Sequence, residues 1–486
     1  MSKTWKVINT FVLCIWAVLI SLLLYKNYSG AELEKPKAFD EAFSKKTYWY
    51  DIYLKDKKIG FASTSFEKIG AEVIVKHERE MKAYKDGKEN LFLESLKCLS
   101  DINHSIKSFE YVSHFKDEKG IKVTGEVDSG EILFFLESPE KRKTHKTAIK
   151  GDFYLPTTFL PVIIQKNPAP NTVFAVPLLN FATLSIETKQ VVLEEIRPLK
   201  VGMNIFSIYK FRSGDTIWWC NDKGDMIKEK NTSGITLYSQ AEVFTKDPAD
   251  RVIFDYTGLP SMESNMVLDD SEKVNSLKVK IKNFRLNPQI YDNSPVTLTN
   301  DTLTIRKPTT EQMKGKTYQL PYTGSTLKKF IQPDDWVMST YKPLQDTGRI
   351  YAKTYNNDAF LFSQYLTNYI VQLIRNSSAF VLSNSEQIMK SSLSGDYMER
   401  TVMFATYARA AGLPTRLVGG VVYLYGYFYF HTWPEIWLQE WIPVDPTLAQ
   451  FPADVTHIPL REGDLEEITA IIEDLRKIKI EVLEAS

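Results

Sequence analysis

The chain has 486 residues, a length that as a soft prior suggests about two to three domains. Hydrophobic residues make up 43% of it and charged residues 25%, ordinary globular values that exclude a disordered chain and a polytopic membrane protein. The 60 Lys and Arg residues balance the 60 Asp and Glu residues. Because no global field would attract a polyanion, we expect no nucleic-acid partner.

An uncharged segment near the N-terminus predicts a membrane helix. Residues 7–25 carry no charge and are long enough, at about 1.5 Å per residue, to cross a bilayer core. Lys3 and Lys6 precede the segment, so the positive-inside rule favours a cytoplasmic N-terminus and an extracytoplasmic soluble part, periplasmic or at the cell surface. The alternative is a signal peptide cleaved near Ala31, but the apolar run exceeds the usual length of about 7–15 residues. We predict a single-pass anchor within residues 1–27.

A tether and a long β region follow the apolar segment. Residues 28–45 are polar and mixed in charge, which is typical of a tether. Residues 46–256 contain alternating runs such as Ile205–Phe211, which predict an antiparallel β domain. Asn-Asp-Lys-Gly at 221–224 predicts a hairpin turn within it. Residues 257–324 contain several prolines and short strand-like runs, and we interpret them as a small β unit or connector.

Two features of the β region leave alternatives open. Cys98 and Cys220 could form a disulfide or remain as two buried thiols. The Trp and Phe residues could line a lipid- or ligand-carrying cavity for which the C-terminal domain is a lid, although aromatic residues in strands are more often sheet core. A continuous apolar cavity under residues 48–256 would distinguish these two interpretations.

From residue 325 to residue 486 the hydrophobic period becomes helical. Ala359–Ile374 and Asp396–Ala411 have apolar residues at helical spacing, and Asp396 with Glu399 resembles a capping box. Strand-like runs follow the second helix, at 415–423, 427–438 and 441–444. The tail after residue 460 predicts a helix and an edge strand.

This order of elements can bring three reactive positions together. A nucleophile at a helix N-terminus, a histidine on a following strand and an acid on the next strand form the arrangement of Cys–His–Asp enzymes. In such enzymes the helix dipole lowers the thiol pKa, the imidazole accepts the proton, and the carboxylate orients the imidazole. Here the three candidate catalytic positions hold Tyr397, His431 and Asp445.

The sequence around these positions resembles the transglutaminase-like superfamily, which has a papain-like cysteine-enzyme fold. Four blocks occur in the family's order: Gly395-Asp396-Tyr397, Gly412-Leu413-Pro414-Thr415-Arg416, His431-Thr432-Trp433 and Trp441-Ile442-Pro443-Val444-Asp445-Pro446-Thr447. The anchor followed by a β region is similar to bacterial membrane-linked members. Together with the predicted N-terminal transmembrane helix and antiparallel β domain, the resemblance implies an α+β fold class with a transglutaminase-like C-terminal domain.

The resemblance places the catalytic cysteine at Tyr397. A phenol has a pKa near 10 against about 8.5 for a thiol, and its oxygen lies at the far end of a ring. We therefore predict a degenerate, inactive domain that acts in protein binding or scaffolding, with a protein or peptide partner and no cofactor. The alternative is an enzyme acting on peptide or amide bonds through His431 and Asp445, with Tyr397 or a partner's cysteine as nucleophile.

A metal site is the remaining alternative for the C-terminal third. Asp454 and His457 lie three residues apart and could join His431. Their spacing fits no standard zinc pattern, and Pro452 and Pro459 bracket a loop. The sequence therefore predicts no metal.

Overall fold

The fold is dominated by β-structure. The computed structural model describes residues 45–486, except for 56, 86–87, 103, 140, 150, 182, 202–203, 232, 247–256, 258, 269, 377–381 and 392. Strands account for 48% and helices for 20%. The predicted α+β class is therefore wrong, because a large antiparallel sheet outweighs the helices of the C-terminal third.

The predicted transmembrane helix also requires correction. Among the residues that the structure describes, no helix is long and apolar enough to cross a membrane. The longest of these helices, Ala359–Leu373, has 15 residues and so spans about 22 Å, less than the roughly 30 Å of a bilayer core. The predicted span at residues 7–25 lies outside the described residues.

The first part of the chain forms a 14-stranded antiparallel sheet. Its strand order is β8-β7-β6-β5-β4-β3-β2-β1-β14-β13-β12-β11-β10-β9. The strands β1 and β14, which come first and last along the chain, therefore pair within the sheet. The strands are β1 (Lys45–Leu54), β2 (Lys57–Ile69), β3 (Glu72–Lys85), β4 (Lys88–Asp101), β5 (Ile106–Phe115), β6 (Ile121–Asp128), β7 (Glu131–Glu137), β8 (Arg142–Ala148), β9 (Val173–Asn180), β10 (Ser185–Val201), β11 (Asn204–Ser213), β12 (Thr216–Cys220), β13 (Met226–Lys230) and β14 (Ile235–Gln240).

Helix α1 (Phe159–Ile164) packs against this sheet. Four of its six residues are buried, in a cluster that includes Phe211 and Trp218 of the sheet. The predicted hairpin at 221–224 is confirmed, because β12 and β13 pair antiparallel around it. Gly224 has a φ of +80°, and a Cβ there would lie 2.4 Å from the Pro161 Cα, so the turn contacts the helix directly. Cys98 and Cys220 are both buried free thiols.

The rest of the chain combines short helices with three smaller sheets. One sheet has the order β15-β22-β21-β24 with β23 beside β22, a second has the order β17-β18-β16-β25, and the third is the parallel pair β19-β20. The strands are β15 (Ser261–Glu263), β16 (Ser276–Lys282), β17 (Val296–Thr299), β18 (Thr302–Arg306), β19 (Arg375–Asn376), β20 (Ser394–Gly395), β21 (Thr415–Leu424), β22 (Tyr427–Trp437), β23 (Trp441–Pro443), β24 (Ile458–Gly463) and β25 (Lys479–Ala485). The helices are α2 (Glu242–Thr245), α3 (Thr310–Gly315), α4 (Lys342–Thr354), α5 (Ala359–Leu373), α6 (Ser385–Lys390), α7 (Tyr397–Ala410), α8 (Leu465–Thr469) and α9 (Ile472–Leu475), with 3-10 turns at Ser271–Lys273, Pro288–Tyr291 and Lys328–Ile331.

Helix α7 is the centre of this C-terminal unit. All of its residues are buried, and it packs against α4, α5 and the strands β21 and β22. The two predicted helices and the three strands that follow them are confirmed to within two residues at each end. Gly412 ends α7 with a φ of +80°, and a Cβ there would lie 2.3 Å from the Pro321 Cβ. Glycine therefore permits both the left-handed turn and the close approach.

One hydrophobic core connects the C-terminal unit with the large sheet. Leu199, Ile208 and Trp219 of the sheet belong to the same buried cluster as the side chains of α7. Strand β25 pairs with β16, so the end of the chain closes the small sheet that residues 257–324 begin. The predicted tail of helix followed by strand is confirmed by α8, α9 and β25. The predicted domain boundaries stay a prediction.

Candidate functional site

The N-terminus of α7 places the residue at the predicted nucleophile position. Asp396 precedes the helix, and its backbone N–H donates to Glu399 Oε2 at 2.8 Å, as the predicted capping box requires. Burial raises the pKa of Glu399 to about 7, although backbone hydrogen bonds oppose the shift. A Cβ on Gly395 would lie 2.4 Å from the Glu399 Cβ, so this cap leaves no room for a larger residue.

Tyr397 fills the space in front of the histidine. Its side chain is 2% exposed, and its ring centroid lies 5.2 Å from that of His431, with the ring planes at 60°. Phe430 contacts the same ring edge-on, with a centroid distance of 6.1 Å. The aromatic ring therefore occupies a buried position beside both Phe430 and His431.

His431 and Asp445 form the predicted pair. His431 lies on β22 opposite Gly420 of β21, and Asp445 follows β23. His431 Nε2 is 2.8 Å from Asp445 Oδ2, and both side chains are fully buried. Asp445 Oδ1 accepts the backbone N–H groups of Thr447 at 2.6 Å and Leu448 at 3.1 Å. The structure thus brings the three predicted positions together, and hydrogen bonds to both of its carboxylate oxygens hold Asp445 in place.

A second histidine shares the same carboxylate. His457 Nε2 is 2.9 Å from Asp445 Oδ2, and His457 Nδ1 is 3.2 Å from Asp454 Oδ1. Asp454 in turn accepts from the hydroxyl of Thr456 at 2.6 Å. From the sequence, Asp454 and His457 are candidates only as metal ligands, and their three-residue spacing is the signal that draws attention to them. The structure makes them part of a buried chain of alternating acids and histidines.

The hydrogen bonds of this chain define its protonation. Burial disfavours the charged form of His457, but its hydrogen bonds to Asp445 and Asp454 outweigh that effect and raise its pKa to about 9. Burial likewise opposes ionisation of Asp445, but His431 and His457 hold its pKa well below its usual range. Because both ring nitrogens of His457 face carboxylate oxygens, the ring is an imidazolium between two carboxylates at neutral pH.

The same residues provide a test for a metal site. The nearest ligand atoms of His431, Asp445 and His457 lie within 4.8 Å of one another. A metal binds the neutral form of histidine, through a nitrogen without a proton. Both ring nitrogens of His457 face carboxylate oxygens, at 2.9 Å to Asp445 and 3.2 Å to Asp454. A metal ion held by His431, Asp445 and His457 would therefore have to displace a proton and one of these hydrogen bonds.

Arg416 supports the strands that carry the site. It lies on β21 opposite Glu435 of β22, and its Nε and Nη2 donate to Glu435 Oε2 at 2.9 and 2.6 Å. Its Nη1 donates to Glu462 Oε2 at 2.7 Å, and its Nη2 also donates to the backbone oxygen of Ile290 at 2.7 Å. The guanidinium carbon stacks 4.5 Å from the centre of the Trp441 ring. One side chain thereby joins β21, β22, β23 and β24.

The solved structures that resemble this chain share little sequence identity with it. A beta-barrel-like protein of unknown function from Brucella abortus shares 11% identity and a TM-score of 0.32, over 40% of this chain and 93% of that one. A candidate cysteine protease from Cytophaga hutchinsonii shares 12% identity and a TM-score of 0.26, over 45% of this chain and 78% of that one.

A third structure, from Pseudomonas aeruginosa, belongs to a family of unknown function and shares 11% identity with a TM-score of 0.20, over 39% of this chain and 90% of that one. No curated protein matches the sequence. One family profile does match: residues 352–446, from α4 to just beyond Asp445, are similar to the transglutaminase-like superfamily.

Proposed function

We propose that the C-terminal unit is a catalytically silent transglutaminase-like module that acts in protein or peptide binding. The observation that carries the proposal is the Tyr397 ring, which is 2% exposed at the helix N-terminus and lies beside a fully buried His431. A phenol attacks carbonyl groups only when its proton is removed and its oxygen reaches the substrate. Because the Tyr397 side chain is 2% exposed, its oxygen does not meet the second condition.

The retained acid–histidine chain supports the same proposal. Asp445 binds His431 and His457 together with two backbone N–H groups, so these side chains connect β22, the loop after β23 and the segment before β24. Such a fully satisfied polar network specifies one arrangement of the strands. The residues would then persist for folding after the nucleophile is lost.

An aromatic surface supports the binding part of the proposal. Tyr355, Tyr365 and Tyr369 stack in sequence along α4 and α5, with centroid distances of 4.5 and 5.5 Å, and all three are partly exposed. Ile350 and Leu361, on the same two helices, are 62% and 41% exposed. Tyrosine is enriched in protein interfaces because a rigid ring gives contact area at low entropic cost.

An activity assay with Tyr397→Cys tests the proposal. We expect the full-length protein to show background rates of peptide hydrolysis and of amine transfer to glutamine peptides. The cysteine variant should exceed that background by roughly 10²-fold, because His431 can then act as a general base on a thiol.

The controls separate chemistry from folding. Tyr397→Phe keeps the ring and should match the unmodified protein, while Tyr397→Cys combined with His431→Ala should return to background. Circular dichroism confirms that each variant is folded. Turnover by the unmodified protein that Tyr397→Phe abolishes would contradict the proposal.

A further inference from the structure

A large cavity lies between the 14-stranded sheet and helix α1. Its volume is about 1050 Å³, at the upper end of the roughly 300–1,000 Å³ typical of ligand sites. All of its lining residues fall between residues 46 and 237, so the C-terminal unit contributes none of the described lining. The cover is instead formed by α1 and the turn at 221–225. This arrangement differs from the alternative considered from the sequence, in which the C-terminal domain is the lid.

One wall of the cavity is apolar. Phe66 and Leu237 contribute from the sheet, and Leu160 and Ile164 contribute from α1. Leu160 and Ile164 are each 5% exposed, and Phe66 is 7% exposed. These side chains form a surface suited to a hydrocarbon body, because burial of apolar area on both partners drives such binding.

Arg79 on β3 contributes a positively charged guanidinium group to the cavity lining. Its Nε atom is buried and makes no hydrogen bond to any residue that the structure describes. Its nearest acidic partner, Glu94, is 3.6 Å from Nη1, and the two side chains are 29% and 16% exposed. A guanidinium held this loosely retains donors for a ligand, and a carboxylate is the planar acceptor that matches its fork.

The lining has three basic side chains, of which Arg79 is the one arginine; Lys46 is paired with Asp225, and Lys223 lies on the covering turn. Asp225 is already satisfied by Lys46 at 3.0 Å and by the hydroxyl of Tyr48. Burial and, as a second cause, the charge of Arg79 lower the pKa of His77 to about 3, so this imidazole is neutral. Burial raises the pKa of Glu229, although the charge of Arg79 and a hydrogen bond from Trp218 oppose the shift.

We propose that this cavity binds a long-chain carboxylate, with the head group on Arg79 and the hydrocarbon chain on Phe66, Leu160, Ile164 and Leu237. The planar fork of Arg79 matches the two oxygens of one carboxylate. A phosphate head group would place a second negative charge in a lining that already holds Asp222 and Asp225, so the carboxylate is the better match. This site is independent of Tyr397, and neither proposal depends on the other.

Calorimetric titration of the full-length protein with octanoate, decanoate and dodecanoate below their micelle concentrations tests the site. We expect dodecanoate to bind and the affinity to fall about fourfold for each methylene removed, because each buried methylene contributes a constant free energy. Dodecanol and dodecylammonium should bind at least about tenfold more weakly than dodecanoate, since they lack the charge that Arg79 recognises.

Substitutions of Arg79 test whether this residue binds the carboxylate head group. Arg79→Gln should weaken dodecanoate binding about tenfold or more, Arg79→Lys should weaken it less, and Arg142→Gln, a change of an exposed arginine on β8, should leave it unchanged. The unmodified-protein series remains informative if an Arg79 variant fails to fold. Absence of dodecanoate binding, equal binding of dodecanol, displacement by equimolar inorganic phosphate, or unchanged affinity in folded Arg79→Gln would each overturn the proposal.

Discussion

Replacing Asp445 by asparagine is expected to lower the free energy of unfolding by about 3–5 kcal/mol, the range for breaking a buried ion pair from one side. Asp445 Oδ2 accepts from His431 at 2.8 Å and from His457 at 2.9 Å. An amide removes the negative charge and leaves the His457 imidazolium with one carboxylate, Asp454. Urea denaturation at pH 7, followed by tryptophan fluorescence, measures the loss.

The same variant should change the pH dependence of stability. The pKa of folded His457 is about 9, above its ordinary value of 6.5, so its contribution is fully present below pH 6.5 and is lost as the pH rises through 9. That difference corresponds to about 3 kcal/mol between pH 6 and pH 10. In Asp445→Asn the slope over this window should be smaller, because one of the two groups that raise the pKa is gone.

A matched control is available on the same unit. Asp474 is 46% exposed and lies 4.0 Å from Arg461, so Asp474→Asn should change the free energy of unfolding by less than about 1 kcal/mol. An Asp445→Asn protein that unfolds at the same urea concentration as this control, with an unchanged pH slope, would show that the acid–histidine chain does not stabilise the fold.

Replacing Arg416 by methionine is expected to have a similar effect, about 3–5 kcal/mol. The substitution removes the hydrogen bonds to Glu435, Glu462 and the Ile290 backbone, while the aliphatic stem is kept. Glu435 is 2% exposed, so it would become a buried carboxylate without its cation. The midpoint of urea denaturation reports the change.

Two further variants define the role of Arg416. Arg416→Lys should give an intermediate loss, because one ammonium cannot replace the planar fork that reaches three acceptors. Arg461→Met removes an exposed arginine from the same sheet and should cost less than about 1 kcal/mol. Equal stability of Arg416→Met and Arg461→Met would contradict a structural role for the buried arginine.

The sequence is sufficient to predict the local part of the site. Residue type and spacing give a short-range signal for three features. These are the helix cap, the helix end at Gly412, and the strands that carry His431 and Asp445. The convergence of Tyr397, His431 and Asp445 follows from the order of these elements. The geometry agrees with that prediction: the His431–Asp445 hydrogen bond is 2.8 Å and the Tyr397 ring lies 5.2 Å from His431.

Long-range features lack such a signal. The three-residue spacing of Asp454 and His457 draws attention to them, but it does not indicate that His457 contacts Asp445, because that contact depends on how β24 pairs with β21. The dominance of the large sheet follows from the pairing of β1 with β14, which are nearly two hundred residues apart. Arg79 shows no local pattern, because the cavity exists only after α1 closes over the strands.

The most direct test of the central claim is whether Tyr397 forms a covalent acyl intermediate. The full-length protein and Tyr397→Cys are incubated with 4-nitrophenyl acetate, and mass spectrometry of the peptide that contains position 397 locates any acetyl group. The buried phenol predicts no acetylation of Tyr397, together with acetylation of the cysteine in the variant. Acetyl-Tyr397 in the unmodified protein, formed with a burst of nitrophenolate that His431→Ala abolishes, would contradict the claim that the module is catalytically silent.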